Sequence, residues 1–571
     1  MEAELQQAIA LHQQGQLLQA RSIYESILRG QPRHFDALHL SGVLAAQMRD
    51  FAGAARRIGA ALDIDRNNAV AFCNFGSACK ELGQFESALA AYDRAIALRP
   101  CYIEAYYNRS IVQRELRQWD AAVASCDMAI RLRPGYAEAF CARGKVFREQ
   151  RQWQPALDEH ERALALQPGL AEAHVERGIA LKELGQFEAA LASYERAIAL
   201  APKDPYAYLN RGNLLKQMND TDAALASYNQ ALSLDPNFAT AHSNRSTILL
   251  LRGQFAEGWR DFEWRWRDRH SGVARQMRTF TQPRWRGTEP ISGKTILLHH
   301  EQGLGDTLQF CRYATDVAER GARVILQVPP PLCELMGSLA GVSEIIAEGD
   351  RLPPFDCFCP LMSLPLAFET SLASIPARIP YLRAPQAKVR YWREQLGEKR
   401  RVHVGLVWSG GFRPGQPEVW AVHARRSIAL EQLAPLRTPG IEFHSLQKGQ
   451  PAESELAQLT AAQWDGPDIV DNTHLLHDFS DTAALIEALD LVISVDTSTA
   501  HLAGALGKPL WILNRFDTCW RWLQDRFDSP WYPTARIYRQ GQPLEWAPVV
   551  ARIRTDLDEL ARSDAIARTG A

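Results

Sequence analysis

The stretch VISVDTSTAHLAGALGKPLWIL, residues 492–513, sets the fold of the second half of the chain. VISV is a largely apolar run of strand length, and Asp496 ends it. Thr497, Ser498 and Thr499 follow, then His501 in a helical pattern, then Gly-Lys-Pro and a second strand-like run. Strand, helix and strand in that order make a βαβ unit, and such units build parallel sheets. Ligands of parallel sheets sit outside the carboxyl ends of the strands. Here that edge carries a carboxylate, three hydroxyls and the start of a helix. First-turn N–H groups have no partner inside the helix and carry about half a positive charge. Such an end suits a phosphate. A plain N-cap on Asp496 or Thr497 explains one residue of the run, but not DTST together with His501.

Outward from this unit the same alternation continues. TILLHHE (295–301), RVILQVP (323–329), GVSEIIAE (341–348) and FDCFCPL (355–361) read as strands, with LQFCRYATDVAERG and PLCELMGSL as intervening helices. After PYLRAP (380–385) and a charged helix, VRYWREQLGEKR (389–400), the pattern restarts. VHVGLVWS (402–409), IEFHSLQ (441–447), DIVDNT (468–473), LDLVISVD (489–496) and KPLWIL (508–513) are its strands. Two Rossmann-like lobes with parallel sheets result, 293–385 and 400–545, followed by a helix and tail at 546–571. Their strand ends carry Gly303, Gly305 and Asp306 in the first lobe. The second lobe offers Ser409, Gln447, Lys448 and the Asp496–His501 run, with Arg425 and Arg426 near its first strand end.

The first half has a different period. QFESALAAYDRAIALRP (84–100) returns as QFEAALASYERAIALAP (186–202), an offset of 102, three times 34. At period 34 one column is small: Ala8, Gly42, Gly76, Ser110, Gly144, Gly178, Gly212 and Ser246. Another is Ala from Ala20 to Ala224, and a further one is mostly Pro. Small residues let paired helices approach, and Pro turns the chain into the next unit. These columns resemble the tetratricopeptide repeat (TPR) over residues 1–270, about eight units forming a superhelix with a concave groove. The last unit decays into WRDFEWRWRDR (259–269), which reads as a junction core, and 271–292 as a linker. Asn74, Asn108, Asn210 and Asn244 share a column on the inward helices, a ladder whose amides can grip a peptide backbone. Lys80, Arg114, Arg148, Lys182 and Lys216 form a basic column beside a row of Glu, so they read either as ligand contacts or as paired surface charge.

Bulk properties narrow the function. The net charge of −2 gives no reason to expect nucleic acid or an anionic membrane as partner. No apolar run reaches the ~20 residues of a membrane helix. Ten Cys without a C-x-x-C pair, and no secretory pattern at the start, read as buried reduced thiols in a cytoplasmic protein. No D-x-D ends a strand: DID (63–65) lies in the repeats and DLD (556–558) in the tail helix. No metal or resident cofactor is therefore expected.

GLGD (303–306) and VDTSTAHLAGALGKP (495–509) resemble the lipopolysaccharide heptosyltransferases and related enzymes of GT-B fold, over about 290–545. The fusion to a repeat array is similar to that of the protein O-linked N-acetylglucosamine transferases. The resemblance implies that Asp306 is the base on the acceptor hydroxyl, with Gly303 and Gly305 shaping the acceptor side. Glu301 and Asp316 are weaker candidates. It further implies that Asp496, Thr497, Ser498, Thr499 and His501 bind donor phosphate and sugar. Ser498 stands where that family has Gly, and Arg426 where it has Lys. The expectation is an inverting, metal-independent sugar transfer from a nucleotide diphosphate sugar, with Arg426 and Lys448 steadying the leaving group and Ser409 and Gln447 holding the nucleotide. The expected acceptor is a protein held by the groove. The alternatives are a peptide-binding scaffold with an inactive transferase half, and a transferase acting on a glycan or lipid.

Overall fold

The computed structural model describes residues 2–268, 272–275, 277–397, 401–411, 420–461 and 464–569. Sixteen α-helices, from Glu2–Gln13 to Phe255–Phe262, precede the first strand's lobe, joined by short turns. The chain divides into two compact units between Leu214 and Leu215.

In the first unit the small column works by close approach. A Cβ on Gly42, Gly144 or Gly178 would lie 2.5 Å from Ile58, His160 or Tyr194, and one on Gly76 would lie 2.9 Å from Tyr92. A side chain sixteen residues on fills each of those places. Ala20, Ala54, Ala88, Ala122, Ala156 and Ala190 are fully buried between the helices. An arginine follows the Asn column and reaches both neighbouring outer helices. Arg109 binds Asp93 and Ser125, Arg143 binds Asp127 and Glu159, and Arg177 binds Glu161 and Ser193. Each arginine thus ties its repeat to the one before it.

The second unit holds two parallel sheets. The first contains β1 (Thr295–His299), β2 (Arg323–Val328), β3 (Val342–Ala347) and β4 (Cys357–Pro360), in the order β3-β2-β1-β4. The second contains β5 (Val402–Val407), β6 (Ile441–Ser445), β7 (Ile469–Val470), β8 (Leu491–Val495), β9 (Leu510–Asn514) and β10 (Ala535–Arg539), in the order β10-β9-β8-β5-β6-β7. Every residue of β5 and β8 is buried, as befits strands covered on both faces.

Several expectations need correction. β10 was not anticipated: ARIYR alternates charge with apolar residues and lies on the sheet edge. The predicted helix after β1 is two, Leu304–Phe310 and Tyr313–Glu319, and PLCELMGSL is a 3₁₀ turn ending at Leu332 followed by a short α-helix, Cys333–Met336. The charged helix runs Gln386–Leu396, while residues 398–400 lie outside the described ones. The tail helix is longer, Ala547–Thr569. All ten cysteines are free, but Cys101 is exposed and Cys333 and Cys519 are half-buried. The division into compact units falls between Leu214 and Leu215, within the repeats, and Leu250, Leu251, Phe255, Trp259 and Phe262 of the last helical pair share the lobes' core. Trp259 sits edge-on to Phe310 and to Trp520, at 6.4 and 5.4 Å between ring centroids. Of the three junction tryptophans only Trp259 is core; Trp264 and Trp266 are half-buried.

Candidate functional site

Three turns of the second unit converge. The first follows β1: Gly303 caps the helix Leu304–Phe310, and Asp306 Oδ2 accepts from the Gly303 N–H at 2.9 Å. The second follows β8. Thr497 caps the helix Ser498–Ala505, with its hydroxyl accepting from Ala500 N at 3.4 Å and meeting Ser494 Oγ at 3.0 Å. Thr497 is therefore the N-cap, and Asp496 is free for other work. A Cβ on Gly305 would come within 2.9 Å of the His501 ring and 3.3 Å of Ser498 Cα, so only glycine lets the two helices meet here.

The third turn follows β9 and was missing from the sequence reading. Arg521 pairs with Asp306 Oδ1 and lies over the Trp520 ring, 4.3 Å from its centroid. Trp522 Nε1 donates to Asp496 Oδ1 at 2.8 Å, and the Trp522 ring stacks on His501 at 5.2 Å. Asp517 lies between Arg425 (3.0 Å) and Arg515 (3.5 Å). Lys216 joins from the helix Pro205–Gln217, donating to Thr247 Oγ1 at 2.6 Å. Its principal charged neighbours are Arg515, Asp517 and Arg425.

The electrostatics of this cluster are uneven. Burial opposes the charge on Arg521, but Asp306, Cys519 and Asp496 outweigh it and raise its pKa. Burial also works against the Asp496 carboxylate, yet His501, the Trp522 hydrogen bond and the two arginines hold it below the ordinary range. Burial pushes His501 down to about 4, so it is neutral at pH 7, with Nδ1 against the Tyr532 hydroxyl at 2.9 Å. Lys216 falls to about 8 through burial and the nearby arginines. Lys216, Arg425, Arg515 and Arg521 thus face Asp306, Asp496 and Asp517, four cations against three carboxylates. Arg515 Nε and Nη1 and Arg521 Nε are buried and make no hydrogen bond. Buried guanidinium donors left over in this way are what an incoming anion would satisfy.

Other predicted residues lie apart. Gln447 is a strand staple: its Oε1 accepts from Trp408 N (3.2 Å) and Ser409 N (2.9 Å), joining the ends of β5 and β6. Ser409 Oγ meets Ser427 Oγ at 3.3 Å, and Lys448 donates to the Leu476 carbonyl. No hydrogen bond or ion pair among the described residues joins these three to the Arg521 cluster. Arg426 packs on Gly410 and donates to Gly411 O at 3.5 Å. Thr499 is half-buried on the first turn of the helix after β8. Glu301 is fully engaged with Arg265 (2.7 and 2.9 Å) and with Met362 N (3.1 Å), which leaves it a structural partner. Asp316 lies on the helix Tyr313–Glu319, its pKa raised by burial and by Glu319. Outside these turns His403, Glu442 and His444 lie within 4.8 Å of one another on β5 and β6, a group whose spacing could hold a metal ion.

In the repeats, Asn74 Nδ2 meets His39 Nε2 at 3.0 Å and Asn210 Nδ2 donates to Tyr206 O at 2.9 Å. Asn108 interacts with Cys73, and Asn244 belongs to the second unit. The first four bases of the basic column pair with the adjacent glutamates: Lys80–Glu81, Arg114–Glu115, Arg148–Glu149 and Lys182–Glu183. That is the paired-surface-charge alternative.

A family profile described as TPR repeat matches residues 76–116 and 180–219, and one described as tetratricopeptide repeat matches 205–238. The chain carries tetratricopeptide repeats. Among curated proteins, Protein FlbA of Caulobacter vibrioides is 30% identical over 350 residues, covering 56% of this chain. The chain spans about half, 54%, of that relative's length. Among solved structures, a TPR protein from Parabacteroides merdae is 17% identical, with a TM-score of 0.39, over 43% of this chain and 96% of that one. A thermophilic TPR protein from Thermus thermophilus is 24% identical, with a TM-score of 0.30, over 32% of this chain and 100% of that one.

Lys216 falls within two of the three matched TPR segments, so one TPR residue belongs to the cation cluster of the α/β half. The signal for Arg515 was available. The strand-end rule applied to KPLWIL points to Asn514 and Arg515, as it pointed to Asp496 after the preceding strand.

Proposed function

We propose that the chain is a glycosyltransferase that moves a sugar from a nucleotide diphosphate sugar to an acceptor hydroxyl. The observation that carries this reading is the Arg521 cluster. Surplus positive charge and unsatisfied guanidinium N–H groups meet a helix start at the carboxyl ends of β8 and β9, with Asp306 in contact. Breaking the bond from the anomeric carbon leaves negative charge on a diphosphate, and fixed cations lower that barrier. Arg515, Arg521 and Lys216 would receive the leaving group, and the Ser498 and Thr499 N–H groups would add to them. Asp306 takes the acceptor proton in this scheme. One of its oxygens caps a helix and the other meets Arg521, but a carboxylate has about four lone-pair sites, so each oxygen can still accept. Direct displacement at the anomeric carbon inverts it.

The acceptor is proposed to be a protein presented by the TPR array. Asn74 and Asn210 already take partners inside the chain, so this part rests on the repeats rather than on free amides. A second reading, a TPR scaffold whose transferase half is inactive, is favoured by the partner that each Asp306 oxygen already holds inside the chain. The deciding experiment incubates the full chain with a panel of nucleotide sugars and measures released nucleoside diphosphate, with Asp306→Asn alongside. Release by the native chain and its loss in the variant supports transfer. No release from any donor moves the assignment to the scaffold.

A further inference from the structure

A cavity of about 540 Å³ lies beside the ends of β1 and β4, lined by His299, Pro360 and Ser363 on the lobe side and by the junction segment on the other. It shares no lining residue with the Arg521 cluster. Five arginines line it, Arg260, Arg267, Arg278, Arg284 and Arg286, with one carboxylate residue, Glu263. Glu263 is already paired with Arg265 and Arg284. Among the described residues, Arg260, Arg267 and Arg278 have no carboxylate partner, whereas Arg286 lies beside Glu289, which accepts from its backbone N–H at 3.3 Å.

These cations are held in place. The Arg267 guanidinium lies 4.8 Å from the centroid of Trp264, whose ring stacks on His242 at 4.1 Å and 9°. Arg284 lies 5.9 Å from the Trp266 ring, and Arg278 donates to Gln327 Oε1. Buried Trp266 Nε1 and Arg284 Nε make no hydrogen bond. Three arginines without a carboxylate partner in one concavity repel one another unless an anion joins them. Arginine forks fixed by aromatic rings suit carboxylate or phosphate, which they can bind bidentately. The rest of the wall, including Trp285, Phe358 and Leu366, is apolar, and the volume falls in the range of about 300–1,000 Å³ typical of small-ligand sites.

We infer that this cavity binds a small anionic sugar, carboxylated or phosphorylated, on the acceptor-lobe side. The sugar half of this assignment rests on the transferase reading; the anion half does not. The test is calorimetric titration of the full chain with glucuronic acid and with glucose 1-phosphate, using glucose and inorganic phosphate as controls. The expected result is binding of at least one acidic sugar, with glucose and inorganic phosphate clearly weaker; which acid binds identifies the anion. Met277 sits exposed at the rim, so Met277→Glu places a negative charge there without touching the core. That variant, and Arg267→Gln with Arg278→Gln, should bind about ten-fold more weakly or worse, since a charged hydrogen bond is lost or opposed. Equal affinity for glucose, equal affinity for inorganic phosphate, or native affinity in Met277→Glu would overturn the assignment. Nucleotide release is measured separately. Anion binding without turnover counts against the transferase reading, whereas turnover without anion binding counts against the cavity.

Discussion

Arg521 reaches Asp306 and Cys519 with its terminal nitrogens, while its Nε is buried without a partner. It touches both the proposed base and the proposed phosphate site, so its replacement should act on both. Arg521→Lys keeps the charge and loses the fork. Both turnover and nucleotide affinity should fall, measured by product release and by titration. Asp306→Asn should instead lower turnover by about 10²–10⁴-fold, the span of a lost general base, while nucleotide affinity stays close to native. Unchanged turnover in Asp306→Asn would remove its assigned role. Gly305→Ala tests the contact between the two turns. The added methyl meets the His501 ring, so a loss of about 1–3 kcal/mol of stability is expected in denaturant titration, as for other overpacked sites. At this scale the sequence was readable where chemistry sat in a compact run, as at Asp496–His501. It was unreadable where partners came from far along the chain. Nothing near Glu301 announced that Arg265 would claim both its oxygens, and nothing near Lys216 announced Arg515.

Helices and strands were more legible than their ends. A 34-residue period imposes helix pairs because small residues recur where backbones must meet, and that information is local. β10 escaped because an edge strand needs only one apolar face, and the helix after β1 is interrupted at Cys311 and Arg312, where the sequence has no Gly or Pro to mark a stop. The buried pair Arg265–Glu301 links the last repeat's end to the segment after β1, with Glu263 and Ser363 also on Arg265. Breaking it alone strands a charge in the core. Arg265→Met should cost about 3–5 kcal/mol, and adding Glu301→Met should recover much of that, since a matched apolar pair can replace a buried ion pair. Equilibrium unfolding of the single and double variants checks both numbers. A harmless single change would mean the pair is not buried as described.

Across the second unit, three histidines are buried neutral. Burial leads in pushing His299, His444 and His501 each to about 4. An unfolded histidine titrates near 6.5, so between about 6.5 and 4 the unfolded chain binds more protons than the folded one. The contribution of these histidines should therefore be flat above pH 6.5 and fall as pH drops below it, by up to about 3 kcal/mol for each histidine. Melting temperatures between pH 7.5 and 5 measure this. His444→Gln should flatten the slope, and a melting point unchanged from pH 6.5 to 5 would contradict the burial.

The tryptophan of the final helical pair, Trp259, belongs to the same core as Phe310 and Trp520. That shared core fixes where the gene could be cut. A fragment starting at 271 would leave a raw apolar scar on the α/β half and aggregate, whereas one starting ahead of Leu215 would stay in solution. By the same logic, duplication or loss of repeats over evolutionary time is tolerable only upstream of that point, so chains of this design should differ in array length at their beginnings while keeping the last two helical pairs intact.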